Sequence, residues 1–280
     1  VSGAIVQYRS PRALADDLAS HRDDLAVYAA QGANLDRILK GVAAAAAKNT
    51  DLLGCSKASL LTSVRQCVQL GLDPSSPLNR IHIVPFKSHA QVIVGYGGLQ
   101  ELALRSGHVE SLDAHNVYRG ERCEIHKGSE MRVDHVVDES VSHKDKDIVL
   151  TYAIAWIKGA RKPIIETMTR EEVEQVRSAS KMRNGPAWTN SWGEMARKTA
   201  IRRIAKRLPQ TPDLEAALAI NDENEGLGTR RRDAEGRPRS DSAINLDARL
   251  LGGEDGGVID EREETEIVAD VESPDGTQAE

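Results

Sequence analysis

A chain of 280 residues, 40% of them hydrophobic, is long enough to bury one large domain or two small ones. No apolar run approaches the roughly 20 residues that span a bilayer, and the start, VSGAIVQYRSPRALADDL, lacks a basic stretch followed by an apolar one, so neither a membrane span nor a signal peptide is expected. Three scattered cysteines, Cys55, Cys67 and Cys123, make neither a disulfide framework nor a zinc motif, and a net charge of −6 taken alone argues against a polyanion partner.

Residues 12–30 and 34–48 read as helices. Leu14, Leu18, Leu25 and Tyr28 recur at helical spacings in the first, and the alanine run GVAAAAAK favours the second. Ser59 to Leu70 predicts a third helix, with Gly71 as its C-terminal cap. Pro74 and Pro77 then interrupt the chain. RIHIVPF (80–86) and AQVIVGY (90–96) are rich in β-branched residues and flank Lys87-Ser88-His89, which predicts a hairpin. GGLQELALRSG (97–107) reads as a short helix. Strand-like segments follow at 109–118, 121–126, 130–137 and 148–158, where Trp156 is expected to pack in the core. Thr169 and Glu172 form a capping-box pair at the start of a helix over 170–181. A loop at 184–191 precedes a last strong helix, 192–208, which Pro209 stops.

From residue 222 onward apolar residues are isolated among Gly, Asp, Glu, Arg and Ser, the composition of a disordered segment. Residues 222–280 hold 18 acidic and 7 basic side chains, whereas residues 156–207 hold 13 basic and 5 acidic ones. A basic body and an acidic tail therefore share one chain, which points to a polyanion partner for the body. The expected organisation is an N-terminal helical region (1–50), a core (51–221) and a disordered acidic tail (222–280). The fold class is α+β: N-terminal helices, central antiparallel β segments with a hairpin, and C-terminal basic helices.

The helix over 192–208 carries the clearest chemistry. At about 100° per residue, Ala200, Ile201, Ile204, Ala205 and Leu208 share one arc, and Lys198, Arg202, Arg203, Lys206 and Arg207 share the other. Lys198, Arg202 and Lys206 repeat every four residues with no acid among them, a stripe for which phosphates are the natural counter-charge. Arg197 falls on the apolar arc, where it is either paired or reaches into a groove. Trp188 and Trp192 flank the helix start; Trp188 reads equally as core or as recognition surface. With aromatics at 3%, stacking platforms are not expected to dominate, and phosphate contacts should carry most affinity.

Several chemistries lack their motif. Neither the dinucleotide string G-x-G-x-x-G nor the phosphate loop G-x-x-x-x-G-K-[ST] occurs, so GYGG (95–98) reads as a tight strand-to-helix turn and no cofactor is implied. No G-x-S-x-G elbow is present. His126, His135 and His143 lie near Asp134, Asp138 and Asp145 at spacings that fit no standard metal site.

LTSVRQCVQLGLDPSSPLNRIHIVPFK (61–87) and VIVGYGGLQELALRSGHVESLDAHNVY (92–118) resemble blocks of the RecT family of phage-type single-strand annealing proteins. MTREEVEQVRSASK (168–181) and PAWTNSWGEMARKTAIRRIAKRLP (186–209) are similar to its E-x-x-x-x-R, W and E-M-x-x-K-T-x-x-R-x-x-x-K-x-x-P series. The likeness covers about residues 50–210; Gly97 stands where many relatives carry a lysine. It implies a protein of the bacterial cytoplasm, not an enzyme of bond chemistry. Such a protein binds single-stranded DNA and annealed duplex, assembles into rings or filaments and anneals strands without ATP. Its implied partners are a 5′→3′ exonuclease and, through the acidic tail, the host single-strand DNA-binding protein. The matched basic residues are Lys87, Arg105, Lys181, Arg197, Lys198, Arg202, Arg203 and Lys206, with Lys198 and Arg202 foremost as phosphate ligands and Arg105 equally a structural pair. A binder that only protects single strands and a metal-dependent nuclease are the competing readings.

Overall fold

Ser10 accepts a hydrogen bond from the Ala13 amide, and Pro11 pre-sets the first turn of helix α1 (Pro11–Ser20). The helix expected over 12–30 is divided at His21, which leaves helical geometry at φ −97° and ψ 14° while the Ser20 hydroxyl donates to the Asp17 carbonyl. A short α2 (Arg22–Ala26) follows. Asn34 caps α3 (Leu35–Lys48), and Ser56 caps α4 (Lys57–Leu70). Gly71 ends α4 at φ 66°, left-handed as a C-cap requires. The computed structural model describes residues 7–180 and 182–225.

Alternation then gives β1 (Ile81–Phe86) and β2 (His89–Val94), an antiparallel hairpin with Ile81 opposite Val94 and Phe86 opposite His89. Helix α5 (Tyr96–Arg105) leaves it through the glycine turn. Strands β3 (Val109–Tyr118), β6 (Ile148–Ile157) and β7 (Ile164–Thr169) form an antiparallel sheet in the order β3-β6-β7; β4 (Arg122–His126) and β5 (Arg132–Val136) make a separate hairpin between β3 and β6. The capping box forms as expected: Thr169 Oγ1 accepts from the Glu172 amide and Glu172 Oε2 accepts from the Thr169 amide, starting α6 (Arg170–Ala179). The loop expected at 184–191 contains one turn of helix, α7 (Pro186–Asn190), opened by Pro186. Helix α8 (Trp192–Ala205) packs against β3, β6 and β7. The α+β class is borne out.

Two elements come as additions. β7 is short and preceded by Pro163, and its pattern makes sense only beside β6, where Ile165 sits opposite Ile154 and Glu166 opposite Ala153. Helix α9 (Pro212–Glu225) buries Leu214, Ala217, Leu218 and Ile220 under α5 and the β1–β2 hairpin. It runs through the boundary expected at 222, so Asp222–Glu225 are helical; the remainder of the acidic tail lies outside the described residues. One hydrophobic core extends from Leu14 to Ile220, and a second, smaller cluster joins Ile148, Met168, Val173, Trp188, Trp192 and Ala196. Trp156 departs from expectation: it lies 39% exposed on β6, on the face turned away from Ala153 and Ala155, which α8 covers. Among the described residues no helix is long and apolar enough to cross a membrane.

Candidate nucleic-acid interface

The periodicity of α8 sets the site. Ala196, Ala200, Ile201, Ile204 and Ala205 face the core, so Lys198, Arg203 and Lys206 are turned the other way, while Arg202, expected on the same open stripe, is itself buried at 9% exposure. They line a groove of about 750 Å³. The β1–β2 hairpin contributes Val84, Pro85, Phe86, Gln91 and Ile93, and α6 with the following segment contributes Val176, Ala179, Met182, Pro186 and Trp188. Met168, Met195 and Asn221 also line it, together with the polar Glu172, Gln175 and Thr199. The groove thus joins an apolar lining to a row of cations.

The stripe that looked uncompensated within its own helix receives its counter-charges from elsewhere in the fold. Asp222 of α9 bonds Arg202, and Lys206 Nζ lies 3.1 Å from its Oδ2. Arg203 reaches Glu166 of β7 at 3.2 Å and Glu172 of α6 at 3.1 Å. Arg207 holds the same Glu166 at 2.7 Å and the Ile165 carbonyl at 3.0 Å. Burial alone would raise the Asp222 pKa, but hydrogen bonds and charge from Arg202 and Lys206 outweigh it and hold the carboxyl below its usual range. Glu172 is likewise lowered, first by the Thr169 amide and against some burial by Arg203. His82 of β1 is pushed down by burial and by the nearby Lys198 charge.

The other expected positions are dispersed. Lys87 is exposed in the β1–β2 turn at φ 55°. Arg105 donates to the Leu70 carbonyl at 2.7 Å and to Asp213 at 2.8 Å, the structural pair that was one of its two readings. Arg197 pairs with Glu194 on its own helix, and Tyr96 donates to the same carboxylate at 3.4 Å. Trp188 is only 4% exposed and anchors the second core cluster while lining the groove. Lys181 lies outside the described residues.

The histidines are bound up with one carboxylate. His135 and His143 approach Glu121 at 3.3 and 3.0 Å. Glu121 also accepts from the Tyr118 amide at 2.7 Å, and these bonds overcome its burial to lower its pKa. His126 stands 3.6 Å from Asp134. Among the described residues no three His, Cys, Asp or Glu side chains are grouped to hold a metal ion.

Sequence reasoning missed Asp222, Asn221, His82 and the apolar lining. The apolar run of α9 was the available signal for the first two, and alternation along β1 and β2 for the third. The lining comes from segments far apart in sequence and had none.

Compared with known proteins, residues 36–238 match the RecT family. The chain is 34% identical to protein RecT of Escherichia coli K12 over 216 residues, 74% of this chain and 78% of that protein. It is 28% identical to the uncharacterized protein YqaK of Bacillus subtilis 168 over 151 residues, 53% of this chain and 50% of that protein.

Proposed function

The chain belongs to the RecT family, and from that membership and the groove on α8 we propose that it binds single-stranded DNA and anneals complementary strands in recombination, without ATP. The observation that carries this reading is one groove in which Lys198, Arg202, Arg203 and Lys206 lie beside Phe86, Val176, Met182 and Met195. A single strand has the same two sides, a phosphate on every nucleotide and an apolar base face. Its phosphates lie on the α8 cations and its bases against the methionine- and valine-lined wall. Such contacts are blind to sequence, which leaves selection to Watson–Crick pairing. Two strands repel through their phosphates, and cations that screen both backbones lower that barrier. The groove of one subunit is too short to keep long strands in register, so a ring or filament of subunits extends it. A 5′→3′ exonuclease exposes the strand, and the acidic tail docks on the host single-strand DNA-binding protein.

Lys198→Ala tests the reading. Binding to oligonucleotides of unrelated sequence should weaken by a similar factor for each, and the slope of log affinity against log salt should flatten by up to about one unit. Unchanged affinity and slope in a folded variant would move the DNA site elsewhere.

A further inference from the structure

We propose that Asp222 is an internal stand-in for a DNA phosphate: its carboxylate occupies Arg202 and Lys206 in the DNA-free protein and is displaced when a strand enters the groove. The proposal rests on the reading of the groove as the DNA site. Arg202 Nη2 donates to Asp222 Oδ1, and Lys206 Nζ lies 3.4 Å from Oδ1 and 3.1 Å from Oδ2. One carboxylate therefore receives two cations one helical turn apart, Arg202 in the last turn of α8 and Lys206 at its C-cap. The two non-bridging oxygens of a phosphodiester satisfy the same pair.

Asp222 is delivered to this place by the fold. The neighbouring Asn221 is buried, and its side-chain amide makes two hydrogen bonds to one residue of β2. Its Oδ1 accepts from the Val94 amide and its Nδ2 donates to the Val94 carbonyl, both at 3.0 Å. This fastens α9 to the end of the hairpin, with Asn221 in the groove lining and Asp222 beside it. The Asp222 side chain keeps 25% of its surface exposed, so solvent and ligand reach it.

The exchange is balanced in charge. Asp222 is ionised at neutral pH, because the two cations lower its pKa despite its partial burial. A phosphodiester carries the same single charge. Arg202, whose side chain is 10% exposed, thus has an anionic partner with and without DNA, and no buried charge is left uncompensated. What DNA gains at this pair is the difference between two anion contacts, and the tethered carboxylate competes at high effective concentration. The contact is an electrostatic brake on weakly held polyanions.

Asp222→Asn in the full chain tests it, because the isosteric amide keeps the packing of α9 and removes the charge. Binding of a labelled oligothymidylate is followed by anisotropy across a potassium chloride series, with Lys198→Ala and Asp222→Glu in parallel. The expected result is about three- to tenfold tighter binding by Asp222→Asn near 0.1 M salt and a salt slope steeper by up to about one unit. Asp222→Glu, which retains the carboxylate, should stay near the unaltered protein; Asp222→Ser replaces the Asn variant if that variant does not fold. Unchanged or weaker binding by the charge-removing variant, with Lys198→Ala still weakened, overturns the proposal and leaves the groove as the DNA site. If Lys198→Ala is unaffected as well, both readings fall.

Discussion

At His82 two influences oppose a positive charge: burial in the β1–β2 hairpin and the nearby Lys198. The ring is therefore held neutral in the fold, with its pKa below the ordinary value of 6.5. The unfolded chain takes up a proton near pH 6.5 and the folded chain at lower pH, so stability is present above that value and lost as pH falls from there toward the folded pKa. A phosphate bound on Lys198 offsets its charge, so DNA binding should favour a proton on His82. Between pH 7.5 and 6.0, the unaltered protein should lose more melting temperature and gain more DNA affinity than His82→Gln, measured by calorimetry and anisotropy. Parallel pH profiles for the two proteins would remove His82 from the groove's electrostatics. The common face of Lys198, Arg202 and Lys206 was legible in the sequence, since helical spacing alone puts it there. Their partners Glu166, Glu172 and Asp222 were not, because each arrives from a different element and only the tertiary fold brings it near.

The glycine turn between β2 and α5 shows how an element boundary is fixed by close approach. A Cβ on Gly98 would lie 2.2 Å from the Arg80 carbonyl oxygen, and one on Gly95 would lie 2.5 Å from that of Asn79, both rigid backbone atoms. Gly97 meets nothing nearer than 3.7 Å. Gly98→Ala should therefore cost about 1–3 kcal/mol or more. Gly97→Lys should leave stability unchanged or raise it by up to about 1 kcal/mol, since it replaces a poor helix former inside α5. Chemical denaturation of both variants checks the contrast, and equal losses would contradict this account of the turn. The hairpin, α5 and the capping box were readable because each is specified by neighbouring residues: alternation, glycine and a Thr–Glu pair. β7 needed β6 to define its register, and the last turn of α9, Asp222–Glu225, was read with the tail because acids fill it, while the apolar residues that hold the helix, Leu214 to Ile220, lie before it and meet partners only in the fold.

On the scale of the whole molecule, charge is divided between a basic groove and an acidic C-terminal segment. Beyond Glu225 the sequence holds 15 acidic and 7 basic residues. Tethered to the end of α9, that segment is expected to compete with DNA electrostatically, and salt should weaken the competition. Truncation after Glu225 keeps α9 and Asp222, whereas a cut after Asn221 would remove the carboxylate too and merge two effects. The shorter chain should melt near the full one and bind single strands more tightly at low salt, with the advantage fading as salt rises. Equal low-salt affinity in a titration of both chains would leave the segment without that role. The division of charge was legible from composition, but the place where the tail begins was not, because α9 carries the fold four residues past the expected boundary. Annealing by charge and pairing, without a nucleotide, is tested by mixing two complementary fluorescent oligonucleotides with the purified full chain in the absence of ATP and magnesium. Duplex should form faster than in buffer, the strands should stay intact, and Lys198→Ala should slow the reaction. Annealing that occurs only with added ATP and its hydrolysis, or strand binding with no acceleration of pairing, would contradict that expectation.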